Sequence, residues 1–137
     1  MNKIEKRIKL ANEAKDLIIE YRKEESILGE NVLKSISVSE DGRIIYVDDL
    51  YEGLEEYDLD YISSIFRADI EGFGPCGSRF FEAIDMSISD IEYDYKKKNK
   101  SREEFINYVG SLYYTQYRCE EIYNRLKEIS KEAEELM

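Results

Sequence analysis

The last third of the chain carries one apolar repeat long enough to dictate what the rest must do. Phe105, Val109, Leu112, Cys119, Ile122, Leu126, Ile129, Ala133 and Leu136 recur at steps near three and four, the period of one face of an α-helix. The pattern predicts a long helix over 102–136, about 50 Å if unbroken. Ser101 with Glu104 three residues on is a capping-box start for it, and Gly110 weakens it locally. A globule of 137 residues has a radius of gyration of about 14 Å, so so long a stripe has two candidate coverings. One is the N-terminal helix of the same chain. The other is a second subunit, for which Leu112, Ile122, Leu126 and Ile129 are the expected contacts, with Tyr113, Tyr117 and Tyr123 widening the stripe. A two-fold homodimer is the expected assembly, because two-fold closure is the commonest.

The first 28 residues show the same period in Ile4, Ile8, Ala11, Ala14, Ile18 and Tyr21, with Gly29 as a stop. The period then changes. Ile36 and Val38 alternate with serines, Asp41-Gly42 follows, and Ile44-Ile45-Tyr46-Val47 resumes. An Asp-Gly pair between two β-rich runs predicts a hairpin, because such turns use positive φ. Tyr57, Leu59 and Tyr61 alternate with Glu56, Asp58 and Asp60, which predicts a third strand near 57–67. Beyond a glycine-rich loop at 72–77, Phe80, Phe81, Ile84, Ile88, Ile91 and Tyr95 predict another helix, with Ser78 as its N-cap. The expected fold is therefore a single α+β domain over 1–137. It has a helix over 1–28, an acidic β-region over 32–70, a helix over 79–98 and the long helix over 102–136, around a small antiparallel sheet.

Charge is distributed unevenly. The net value is −11, and residues 40–60 hold nine acids against one base, Arg43. Lys96 to Arg102 returns five positive charges. A field of this sign repels nucleic acid and acidic membrane and draws in basic partners; solubility alone is the plainer use of it. No apolar run approaches the length of about 20 residues that spans a bilayer, and the N-terminus is charged and amphipathic rather than signal-like, so a cytoplasmic protein is expected. The chain has no histidine, which removes Ser-His-Asp and Cys-His catalysis. Two cysteines without CxxC spacing exclude a four-ligand zinc site. No cofactor is expected.

Three constellations carry possible chemistry. Gly72-Phe73-Gly74-Pro75-Cys76-Gly77 spells GxGxxG before a helix, the setting in which backbone N–H groups meet a phosphate. Arg67, Gly72, Gly74, Gly77, Ser78 and Arg79 are the candidate residues of a nucleotide site there. Pro75 removes a donor, and the chain has no room for a dinucleotide fold, so a plain turn is the other reading. Tyr46-Val47-Asp48-Asp49 is similar to the YxDD element of reverse transcriptases, and Asp58-Leu59-Asp60 makes a DxD. Carboxylates so placed suit Mg²⁺, which gives a metal-dependent hydrolase as a weaker alternative to a solvated strand end. Asp48, Asp49, Glu52, Glu55, Glu56, Asp58 and Asp60 are the candidate partner-binding residues of an acidic face. The composition, rich in Lys, Glu, Ile, Tyr and Asn, is similar to that of low-GC bacteria and their phages. In composition the chain resembles the small acidic inhibitors of mobile elements, such as anti-CRISPR proteins. The leading expectation is a non-enzymatic binding protein for a basic, nucleic-acid-binding partner. An oligomeric module that sequesters a phosphorylated nucleotide is the alternative.

Overall fold

The computed structural model of the chain describes residues 1–28, 33–48, 54–66, 74–77 and 79–136. They form three helices, α1 (Lys3–Glu25), α2 (Phe80–Lys97) and α3 (Arg102–Glu134), and three strands, β1 (Leu33–Val38), β2 (Ile44–Asp48) and β3 (Glu55–Tyr57). The strands pair antiparallel in the order β1-β2-β3. The fold is α+β, with long helices at both ends of the chain.

Local chemistry places the helix ends. The Asn2 side chain accepts the Glu5 N–H at 2.8 Å and opens α1; Ser101 accepts the Glu104 N–H at 3.1 Å and opens α3. Arg79, not Ser78, occupies the N-cap of α2 and supplies no capping side-chain bond; Ser78 itself lies outside the described residues. The end of α2 is a Schellman motif. Asn99 takes φ 56°, its N–H bonds the Lys96 carbonyl, and the Lys100 N–H reaches back to Tyr95 at 2.8 Å.

α1 and α3 lie antiparallel, as their cross-links show. Arg118 grips both carboxylate oxygens of Glu20 at 2.7 Å, Arg125 reaches Glu13 at 2.7 Å, and Arg7 donates to the Leu136 carbonyl at 3.0 Å. Between them, Ala11, Ala14, Ile18 and Tyr21 meet Cys119, Ile122, Leu126, Ile129 and Ala133 in one buried cluster. Two alanines on the facing side of α1 let the helix axes approach closely. The apolar stripe of α3 is thus covered within the chain: Ile122, Leu126 and Ile129 have no exposed surface and Leu112 has 3%. Their burial assigns these four residues to the core of the monomer, which corrects the expectation that they await a second subunit. A helix of about 50 Å is accommodated because α1 backs its C-terminal half. α2 covers the N-terminal half, where Phe80 packs on Leu112 and Tyr95 lies against Phe105 and Tyr108.

The sheet adds Ile44 and Tyr46 to the core. The β1–β2 turn carries its positive φ at Gly42 (φ 85°), where the Gly42 N–H bonds the Ser39 carbonyl at 3.1 Å and the Ser39 N–H bonds Arg43 at 2.9 Å. The third strand lies ahead of the predicted span of 57–67 and meets it only at Tyr57. β3 ends at Tyr57, and Leu59–Phe66 form a 3₁₀ helix instead of continuing it. Leu59, Ile62 and Phe66 recur at steps of three and four and all are buried, whereas Tyr61 is 66% exposed. Burying three apolar side chains on one side outweighs the alternation of Tyr57, Leu59 and Tyr61. Ser130 of α3 fastens the start of this segment by donating to the Leu59 carbonyl at 2.9 Å.

Candidate functional site

The turn after β1 and the end of β3 place four charged groups together. Arg43 stands 3.1 Å from Asp58, 3.3 Å from Asp41 and 3.6 Å from Glu56, and all four side chains are about half exposed. The single base of the acidic stretch is therefore ringed by three of its nine acids. A hydrogen bond from the Ser39 hydroxyl, with Arg43 and Arg7 nearby, holds the Asp41 carboxyl below the usual aspartate value. Beside this ring lies a cleft of about 190 Å³ between Arg7, Gly42, Asp60 and Ala133. Its lining carries both signs: Asp41, Asp58 and Asp60 with Arg7 and Arg43. Outside the ring, the Glu55 carboxylate takes the Tyr57 hydroxyl proton as a hydrogen bond, while Glu56 sits on the solvent side of the edge strand β3. The acidic face is thus a charged rim around one arginine rather than an uninterrupted negative field.

Of the other candidate partner-binding residues, Asp48 closes β2 opposite Leu33. Asp49 and Glu52 lie outside the described residues. Among the described residues, no three His, Cys, Asp or Glu side chains lie close enough to hold a metal ion. Tyr46, the first residue of the YxDD-like run, is a core residue whose hydroxyl accepts the Arg22 Nε–H at 3.0 Å.

That bond belongs to a buried polar centre with no counterpart in the sequence reading. Arg22 and Glu25 are 6% and 2% exposed and pair at 2.8 Å. The guanidinium lies 4.8 Å from the centre of the Phe66 ring and 5.6 Å from that of Tyr21. α1, β2 and the 3₁₀ helix are held by this one side chain. The only local signal for it is an arginine one step off the apolar face of α1, which is not specific.

In the glycine loop, Arg67, Gly72 and Ser78 lie outside the described residues. The described part is a tight turn: the Gly77 N–H bonds the Gly74 carbonyl at 2.7 Å, and Pro75 and Gly77 are buried. Cys76 donates its S–H to the Cys119 carbonyl at 3.1 Å, which seats the turn on α3. The Gly77 amide is turned toward its own loop, and Arg79 is exposed beyond it.

The tyrosines expected at an interface divide. Tyr113 and Tyr117 remain 40% and 60% exposed, while Tyr123 is half-buried with the Lys127 ammonium 4.9 Å over its ring. Among the described residues no helix is long and apolar enough to cross a membrane. No family model, no curated protein and no solved structure matches the chain.

Proposed function

We propose that the chain is a non-enzymatic binding protein whose acidic face engages a basic protein, one whose own basic surface serves nucleic acid. The observation that carries this reading is the exposed rim of Asp41, Glu56 and Asp58 around Arg43, on a chain of net charge −11. Acids held half-exposed on a hairpin turn and an edge strand need no rearrangement to meet a cationic surface. The arginine among them fixes their geometry while leaving the rim negative. Such an arrangement accelerates association with a basic partner and discriminates against acidic ones. It also disfavours direct contact with nucleic acid, whose phosphates carry the same sign. Acting on a nucleic-acid-binding protein by occupying its basic surface is the mode of small acidic inhibitors, and this is the class to which the reading assigns the chain.

The test is kinetic. With a basic partner in hand, the double variant Glu56→Lys and Asp58→Lys lowers the association rate and flattens its dependence on salt, leaving dissociation little changed. An association rate and salt slope equal to those of the parent would exclude the acidic rim as the binding face.

A further inference from the structure

The chain has two cysteines, and the fold brings them together across 43 positions of sequence. The Cys76 Sγ stands 3.1 Å from the carbonyl oxygen of Cys119 itself. Standard bond lengths keep that oxygen about 2.4 Å from its own Cα, so the Cys76 sulfur lies within about 5.5 Å of the Cys119 Cα. Both residues are thiols, and both belong to the cluster between α1 and α3. Their access differs: Cys76 is half-buried on the 74–77 turn, whereas Cys119 has no exposed surface. A serine at position 76 would make the same bond to the Cys119 carbonyl more strongly, since a hydroxyl is the better donor. What cysteine adds at this place is sulfur chemistry.

We propose that Cys76 and Cys119 are a peroxide-sensitive pair, which closes to an intrachain disulfide and locks the glycine turn onto α3. Turning the two side chains about χ1 is the movement that brings sulfur to sulfur. The difference in access sets the order of events. Cys76 meets the oxidant first: its sulfur, having released its proton, attacks one oxygen of hydrogen peroxide. The O–O bond breaks, the other oxygen leaves as water, and Cys76 becomes a sulfenic acid. Cys119, shielded from the oxidant, then gives up its proton and attacks the Cys76 sulfur. The S–O bond breaks and the second oxygen leaves as water. The two sulfurs lose two electrons between them, and the peroxide takes both. A thiol reductant reverses the change by exchange. The closed form joins the ends of a segment that contains all of α2 and the first half of α3, and a cross-link of that length stabilises by restricting the unfolded chain. Neither cysteine lines the cleft beside the acidic rim, so the acidic-partner reading can fail without touching this one.

The experiment is peptide mapping by mass spectrometry on the folded full chain, before and after exposure to hydrogen peroxide. The parent is expected to lose two hydrogens, to keep no thiol that an alkylating agent can reach after denaturation, and to yield one peptide pair joined through Cys76 and Cys119. Dithiothreitol is expected to restore both thiols. The melting temperature of the oxidised chain is expected to exceed that of the reduced chain by at least about 5 °C. Cys119→Ala is expected to stop at the Cys76 sulfenic acid, which dimedone captures. Cys76→Ser is expected to leave Cys119 unmodified at the same dose. Two thiols still open to alkylation in the treated parent overturn the proposal. So does a disulfide that joins two chains, a Cys76 carried on to sulfinic acid while Cys119 stays reduced, or an oxidised form that melts no higher than the reduced one. The parent's own peptide map decides the matter even if Cys119→Ala does not fold.

Discussion

At the scale of single residues, two glycines have opposite requirements. Gly42 holds φ 85°, and a Cβ there would stand 2.8 Å from Arg7 Cβ and 3.2 Å from the Arg7 carbonyl carbon. Both the turn and the close approach of α1 exclude a side chain. Gly42→Ala is expected to cost about 2–4 kcal/mol, combining left-handed backbone strain with a clash against a helix backbone. Gly110 sits in a helix with open space around it, so Gly110→Ala is expected to stabilise the monomer by up to about 1 kcal/mol. Chemical denaturation of the two variants checks both signs; equal effects would mean that the Gly42 turn relaxes. The Asp41-Gly42 pair announces its turn in the sequence. That Arg7 packs on it is not announced, because 35 residues separate the two and nothing local to either refers to the other. The Arg22 centre is hidden for a related reason: its partners come from three elements, and only the fold assembles them. Arg22→Met removes the donor that faces Glu25, Tyr46 and the Ile65 carbonyl, and is expected to cost about 3–5 kcal/mol. Arg22→Met combined with Glu25→Leu is expected to cost less than Arg22→Met alone, since no charge is then left buried. A double variant worse than the single one would contradict this.

At the scale of elements, the two long helices were legible because their apolar residues keep one period and their caps are spelled out, Ser101 with Glu104 most clearly. The region between them was legible only in part. Leu59-Asp60-Tyr61-Ile62-Ser63-Ser64-Ile65-Phe66 satisfies a strand-like alternation at its start and a helical step from Leu59 through Ile62 to Phe66. Ser130 on α3 and the core below decide between them. The charged seam between α1 and α3 is likewise a product of packing, and it has a pH signature. Two hydrogen bonds from Arg118 hold the Glu20 carboxyl below the ordinary glutamate value of about 4.3, against the small opposing effect of burial. A carboxylate whose folded value is depressed stabilises the fold fully above its unfolded value, and that contribution disappears as pH falls through the folded one. Because the pair is partly exposed, at 29% and 40%, its worth is under about 1 kcal/mol. Glu20→Gln is therefore expected to be slightly destabilised at neutral pH, with a smaller deficit at about pH 3, below the ordinary glutamate value. Urea denaturation at both values checks this; an equal deficit at both would mean that the side chain acts through packing rather than charge.

At the scale of the whole molecule, the acidic rim and the thiol pair sit at different places and answer to different variables. The acidic rim works by long-range attraction to a cationic partner, and that attraction weakens as ions screen it. The Debye length falls from about 30 Å at 0.01 M salt to about 8 Å at 0.15 M. Over this interval the association rate with a basic partner is expected to fall by at least about tenfold. Joining Cys76 to Cys119 adds no ionised group, so the net value of −11 is that of both redox forms. Cys119 also lies about 21 Å along α3 from Ala133, which lines the cleft beside the rim. Arg43 and the acids around it belong to the β1–β2 turn and the end of β3, outside the segment that the disulfide closes. The reduced and oxidised chains are therefore expected to show one association rate and one salt slope while differing in melting temperature. Stopped-flow measurements on both forms of one preparation across the salt series would check this. A rate or slope that changes on oxidation would mean that the glycine turn, and not the rim alone, meets the partner.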